Sequence, residues 1–257
     1  MPSFAFWNMQ RFGGSSPVEK QNLYEGVVAQ IRHDATDLEF IAFCEVTGNI
    51  KIGDADLSKA LVKATKKLGQ LAYEVIDKDL KNGRVERAEI KDFEKLFGIK
   101  SYKKGGNKFD RISKRPVAYV GKAGNTQLFI YHCNASEKAP FLVSWVAASL
   151  AMACNDDFIL AGDLNCEPVE FGQTYTQILR QMKLKGSLVA PAKITGVSAG
   201  PTHNAHKKDM ANTYDWAIYG AKTGEVKVQV IDYRSQIADM QWEDFNSDHL
   251  PIVVTHA

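Results

Sequence analysis

The 257-residue chain has little net charge, few cysteines and no long hydrophobic run, and each shortage closes off a class of function. A formal charge of +2 provides no overall basic field, so a polyanion would have to be recognised by a local cluster. Four cysteines (Cys44, Cys133, Cys154 and Cys166) lack zinc-ligand or disulfide-framework spacing, and read as small buried residues in a reducing compartment. The most apolar stretch, 141–153, is shorter than the ~18 residues of a membrane span. It is also interrupted by Ser144 and Ser149. Repeats and low-complexity tracts are absent. Met1-Pro2-Ser3 leads directly into a strand pattern, without the basic and apolar halves of a signal peptide. As the chain stands, the expectation is a cytoplasmic protein with no membrane span; secretion, or a targeting segment already removed, is left open.

What is present suits an enzyme-sized domain. A hydrophobic fraction of 45% supports a substantial core, and the length fits one large catalytic domain over residues 1–257. Strand and helix patterns alternate without a linker. Leu23, Val27 and Ile31 share a helical face, which predicts a helix over 18–32. Leu57, Leu61, Ala64 and Leu68 predict a second helix. Residues 71–76 read as a strand, and 116–121 with 127–134 as a hairpin around Gly121 to Asn125. Phe141 to Ala153 reads as a buried helix. Tyr175, Ile178, Leu179 and Met182 mark another, stopped near Gly186. Further strands are expected at about 214–219, 226–232 and 251–255.

The chemistry-bearing residues stand at the ends of apolar runs. Phe158-Ile159-Leu160-Ala161 suits a central strand, and Gly162 allows close backbone approach. Asp163 and Asn165 follow, two residues apart, so an extended backbone would project them to the same side. A carboxylate and an amide placed together can position a water and hold a phosphate oxygen; an Asx-rich turn is the plainer alternative. Near the C-terminus, Ser247-Asp248-His249 precedes another apolar strand.

GDLN followed by a C-terminal SDHLP resembles the endonuclease/exonuclease/phosphatase, or DNase I-like, superfamily. The remaining motifs occur in that family's order. Phe4 to Asn8 is similar to its first strand, Phe40 to Glu45 to its second, Leu128 to Asn134 to the strand with the catalytic histidine, and Thr213 to Ile218 to the segment with the aspartate that pairs with the last histidine. The resemblance spans residues 4–254. Trp7-Asn8-Met9-Gln10 and Arg115-Pro116-Val117 look most like the bacterial DNase I-like branch that includes the catalytic subunit of cytolethal distending toxins.

The resemblance implies an α/β (α+β) four-layer sandwich, two mixed sheets face to face with helices outside. It implies a metal-dependent phosphodiester hydrolase using Mg2+ or Mn2+. Glu45 and Asp248 would be metal ligands, with Asn8 helping to hold metal or phosphate. Asp163 would orient and deprotonate water, and Asn165 would bind a phosphate oxygen. His249, polarised by Asp215, would contact the phosphate; His132 would stabilise the transition state or protonate the leaving oxygen. Asn134 would contact phosphate beside His132.

For substrate, residues 100–115 carry seven basic residues against one acid, with Tyr102 and Phe109 interleaved. Lys103, Lys104, Lys108 and Arg111 suit a phosphate backbone, and Arg115 is similar to an arginine that family nucleases place near the substrate phosphate. DNA is therefore the expected partner. A loop carrying His203 and His206 is a second basic cluster, with metal binding by these two histidines a minor reading. Two features depart from pancreatic DNase. Val46-Thr47-Gly48 offers no arginine to a minor groove, and the acid supporting His132 is unplaced, with Glu86 and Glu89 as candidates by region. Residues 77–99 read as charged and helix-like. A phosphatase or phosphodiesterase for a phosphoinositide or another small phosphorylated substrate is the second reading, and an inactive DNA- or protein-binding homologue the third.

Overall fold

Among the described residues, the parallel pairs Ser3–Gly13 with Leu38–Thr47 and Thr126–Ile130 with Phe158–Asp163, each needing a crossover, organise the two main sheets. The computed structural model describes residues 2–13, 16–35, 37–47, 51–52, 55–56, 70–75, 86–87, 117–184, 194–203, 212–233 and 247–257. β1 (Ser3–Gly13) and β2 (Leu38–Thr47) are parallel and joined by α1 (Val18–Asp34). A parallel pair cannot be closed by a tight turn, which is why a helix occupies the connection. α1 carries Glu19 in its first turn and Arg32 and His33 in its last, each complementing the helix dipole.

Two short strands, β3 (Lys51–Ile52) and β4 (Ala55–Asp56), pair with each other. β5 (Gln70–Val75) lies antiparallel to β2. β6 (Glu86–Arg87), β7 (Ala118–Ala123) and β8 (Thr126–Ile130) are antiparallel neighbours. The second crossover joins β8 to the parallel β9 (Phe158–Asp163) through α2 (Ala139–Ala153). Then come α3 (Pro168–Leu184), β10 (Thr195–Val197), β11 (Asp215–Tyr219), β12 (Val226–Val230) and β13 (Ile252–His256). Both main sheets are mixed, with orders β12-β13-β1-β2-β5 and β10-β11-β9-β8-β7-β6.

The chain forms two compact units. The first comprises Met1–Asn82, Ser198–Trp216 and Glu225–Ala257; the second comprises Gly83–Val197 and Ala217–Gly224. In the first unit, Ala5, Trp7 and Met9 alternate along β1 and pack with Tyr24, Val27, Val28 and Ile31 of α1 and with Ile41 and Phe43 of β2. Trp7 lies against both Tyr24 and Tyr233. Each fully buried large side chain here contributes roughly 1.5–3 kcal/mol. Phe4 and Phe40 stack in the same unit, with ring centroids 5.0 Å apart. In the second unit, α2 is buried on several sides, through Val143, Trp145, Val146, Ala147 and Leu150. Its partner α3 offers Phe171, Tyr175 and Ile178, spaced for one helical face. Ser144, set in the apolar run of α2, donates to the Phe171 carbonyl at 3.3 Å, which satisfies its hydroxyl inside the core. Among the described residues, no helix is long and apolar enough to cross a membrane.

Several sequence expectations shift. The hairpin turn is tighter than a 121–125 loop, because β7 continues to Ala123 and Gly124 takes a left-handed φ of 61°. β8 ends at Ile130 and not at Asn134. Glu86 and Arg87, inside a segment expected to be helix-like, pair as a strand with Tyr119 and Ala118. The ladder hydrogen bonds override the local charge pattern there. β3, β4 and β10 are too short to leave a sequence pattern. The helix expected from Leu57 to Leu68 lies outside the described residues.

Candidate functional site

In the second unit, strand register creates the first cluster. Ile130 pairs with Ala161 in the parallel β8–β9 ladder. The backbone continues this spacing beyond β8, since Tyr131 N–H donates to Ala161 O at 3.0 Å and Cys133 N–H to Asp163 O at 2.8 Å. His132 is thereby set beside Asp163, and His132 Nε2 lies 3.3 Å from Asp163 Oδ2. Gly162 makes the approach possible. Its φ is 149°, and a Cβ built there would lie 2.0 Å from the Tyr131 carbonyl oxygen.

Asn165 does not share a strand face with Asp163. It follows the end of β9 with a left-handed φ of 50°. This turn folds it back, so that its N–H and Nδ2 both donate to Asp163 Oδ1, at 3.1 and 2.7 Å. Nδ2 also donates to the Cys133 carbonyl at 2.9 Å. The Asx-type turn wins over strand alternation because it satisfies a buried carboxylate oxygen. One oxygen of Asp163 is thus held by Asn165, and the other faces His132. Among the described residues, Asp163 is an acid beside His132; Glu89 lies outside the described residues. Asn134 is half-buried beyond these residues.

The Cys166 and Cys154 thiols are poor nucleophiles. Burial raises the Cys166 thiol far above its usual range, and raises Cys154 to about 11. Both are therefore neutral at physiological pH. All four cysteines are buried thiols, none in a disulfide.

In the first unit, a second histidine–carboxylate couple is fully enclosed. His249 Nδ1 lies 2.7 Å from Asp215 Oδ2, and both side chains are buried. A carboxylate only accepts, so Nδ1 carries the proton and Nε2 is the nitrogen presented for chemistry. Backbone contacts fix both partners. Asp215 N–H donates to Thr202 Oγ1 at 2.9 Å, and Leu250 N–H donates to Thr202 O at 2.8 Å. Trp7 Nε1 donates to the His249 carbonyl at 3.0 Å. His249 N–H donates to Ser247 Oγ at 3.0 Å, while that hydroxyl donates to the Asn8 carbonyl.

Asn8 and Glu45, two of the expected metal ligands, lie on the neighbouring strands β1 and β2. Asn8 is paired in register with Cys44, immediately before Glu45. A shift in register follows Asn8, with Gln10 at φ 43° and Glu45 at φ 56°. Asp248 N–H donates to Gln10 Oε1 at 3.1 Å, which ties Asp248 to this irregular part of β1. Burial pushes the Asp248 carboxyl upward, but neighbouring His203 and His249 outweigh it and hold the group below the usual carboxylate range. Lys20 of α1 also feels its charge.

His203 is the residue that sequence reading undervalued. It forms an antiparallel bridge with His249, and its Nε2 lies 3.5 Å from Asp248 Oδ2. His203, Asp248 and His249 bring their ligand atoms within 4.8 Å of one another, a set that could hold a metal ion. The sequence signal was its place in a Gly/Pro-flanked loop, with no hint of the strand it would meet. Lys103, Lys104, Lys108, Arg111, Arg115 and His206 lie outside the described residues.

No family model and no curated protein matches the sequence. Solved structures do. Bacteroides thetaiotaomicron mannosyl-6-phosphatase aligns over 100% of both chains at 12% identity and a TM-score of 0.57. Truncated Caenorhabditis elegans TDP2 aligns over 99% of this chain and 97% of its own, at 11% identity and a TM-score of 0.56. The cytolethal distending toxin from Actinobacillus actinomycetemcomitans aligns over 99% and 97%, at 12% identity and a TM-score of 0.51. The fold is DNase I-like. At these identities the likeness is one of backbone. Within the DNase I-like fold, it is the strand-end residues of this chain itself that speak for chemistry.

Proposed function

We propose that the chain is a metal-dependent phosphodiester hydrolase, a single catalytic domain over 1–257, and within that class a magnesium- or manganese-dependent endonuclease acting on DNA. The observation that carries the chemistry is the pair of buried histidine–carboxylate couples, His249 with Asp215 and His132 with Asp163. A phosphodiester is anionic and resists attack. Its hydrolysis needs charge neutralisation, an oriented water and support for the departing oxygen.

In this reading Asn8, Glu45 and Asp248 hold the cation. One amide and two carboxylates form an all-oxygen donor set, the kind that hard divalent ions take. The bound cation supplies neutralisation of the phosphate charge. Asp163 orients and deprotonates the attacking water. Asn165 fixes Asp163 through Oδ1, and reaches a phosphate oxygen by exchanging one of its present bonds. His249, locked by Asp215, presents Nε2 to the phosphate. His132 steadies the charge that builds in the transition state or protonates the leaving oxygen.

DNA as substrate is supported by the basic, aromatic composition of residues 100–115. Lys103, Lys104, Lys108, Arg111, Arg115 and Asn134 are the proposed backbone contacts. A small phosphorylated substrate is the second reading, favoured by the full-length likeness to a mannosyl-6-phosphatase. The test is hydrolysis of plasmid DNA beside a panel of inositol and sugar phosphates, with magnesium and with EDTA. Metal-dependent DNA cleavage supports the first reading, and turnover restricted to small phosphates supports the second. Turnover that persists in metal-free buffer contradicts both, and no turnover on any substrate identifies a binding homologue.

A further inference from the structure

We infer that His203, Asp248 and His249 form a site for a borderline divalent cation such as zinc, distinct from the all-oxygen set of Asn8, Glu45 and Asp248. Three observations carry this. His203 Nε2 lies 3.5 Å from Asp248 Oδ2, and His249 Nε2 lies 3.7 Å from Asp248 Oδ1. Both separations are long for direct hydrogen bonds, which cluster at about 2.7–3.2 Å. They run to the two oxygens of one carboxylate, and one ligand atom from each of the three residues lies within 4.8 Å of the others, close enough to share an ion.

The second observation is the support behind the imidazoles. The Asp215 carboxylate accepts from His249 Nδ1, which fixes the tautomer that offers Nε2 to a metal and raises its basicity. His203 Nε2 faces Asp248, and its Nδ1 lies 3.4 Å from the Asn212 side-chain amide, which must present its oxygen to that nitrogen when Nε2 binds a metal. The third is backbone rigidity. The His203–His249 bridge, the Thr202 N–H and His203 N–H bonds to Asn212 O, and the Leu250 N–H bond to Thr202 O hold the donors in place before any ion arrives. Two imidazoles and a carboxylate make a three-ligand site with a fourth position open to water or substrate. Imidazole donors favour zinc, cobalt or nickel over magnesium.

Asp248 serves both cation sets, so the two ions compete for one carboxylate. A cation on His249 Nε2 also withdraws that nitrogen from phosphate, which makes zinc an inhibitor. This consequence rests on the hydrolase reading, whereas binding itself does not.

The experiment is titration of the full chain, free of any histidine tag, with cobalt(II) alone, read by its visible d–d absorption and by displacement with zinc. The wild type should develop an intense tetrahedral-type band that zinc removes. His203→Ala and the more conservative His203→Gln should each weaken cobalt binding at least tenfold while melting as folded proteins. Glu45→Gln should leave cobalt binding unchanged. The inference is overturned if wild type shows no such band, if both His203 variants bind within twofold of wild type, or if Glu45→Gln is the variant that abolishes binding. Loss of hydrolysis in other assays would not touch this result, and absence of the cobalt site would leave the hydrolase reading standing.

Discussion

Replacing Gly162 with alanine should damage both stability and the His132–Asp163 couple, by an amount that follows from the backbone. The new Cβ would sit 2.0 Å from Tyr131 O and 2.9 Å from Tyr131 C, both backbone atoms that no rotamer change can move. Ordinary contact begins near 3.4 Å, so β9 and the segment after β8 must part by about 1.4 Å. A φ of 149° adds strain of about 1–3 kcal/mol for a residue with a side chain. The two flanking bonds, Tyr131 N–H to Ala161 O and Cys133 N–H to Asp163 O, contribute about 1 kcal/mol each and are the first to stretch. The sum is about 3–5 kcal/mol, or about 6–20 °C in Tm for a chain of this length. A shift of about 1 Å at the couple should lower kcat on the order of 100-fold. Gly172 in α3 is the internal control, because its Cβ position has nothing within 4 Å. Gly172→Ala should stabilise by about 0.5–1 kcal/mol through helix propensity. Thermal melts and phosphodiester hydrolysis on the two variants decide the matter. If Gly162→Ala melts and turns over like wild type, the account of how β8 and β9 position His132 is wrong.

Other expectations are quickly checked. Asp215→Asn removes the carboxylate that fixes the His249 tautomer, so kcat should fall on the order of 10²–10⁴-fold with KM little changed; an effect confined to KM would contradict that role. Trp7→Phe deletes the donor to His249 O and should cost about 1–3 kcal/mol, read by denaturant unfolding. Asp248 has a depressed folded-state pKa, so its stabilising contribution is complete above the unfolded value of about 3.9 and fades as pH falls through the lower folded value. Asp248→Asn should therefore flatten the acid limb of the stability profile, and an unchanged limb would refute the assignment. Lys103→Ala, Lys104→Ala and Lys108→Ala combined should weaken DNA binding and reduce its salt slope by up to about 3; an unchanged slope moves the DNA surface elsewhere.

The strand ends were legible in the sequence because each is an apolar run halted by a residue that no core would choose. Asn8, Glu45, His132 and Asp163 announce themselves in this way, and His249 stands just ahead of such a run. Their partners were harder to read, because partnership depends on register. The closeness of His132 to Asp163 is set by the offset that pairs Ile130 with Ala161, which no local pattern reveals. Asn165 needed a left-handed turn that its sequence permits without demanding. His203 stands 45 residues before Asp248 and meets His249 through a single bridge, an arrangement with no periodic pattern. α1 and α3 followed from 3.6-residue periodicity and α2 from its apolar stretch, whereas β3, β4 and β6, at two residues each, carry too little pattern to see.

Supercoiled plasmid, incubated with wild-type chain and with Asp163→Ala, with magnesium and with EDTA, tests the central claim most directly. Nicking that requires both the metal and Asp163 is the predicted result. Nicking by Asp163→Ala at the wild-type rate, or undiminished by EDTA, would contradict a metal-dependent hydrolase built on that carboxylate.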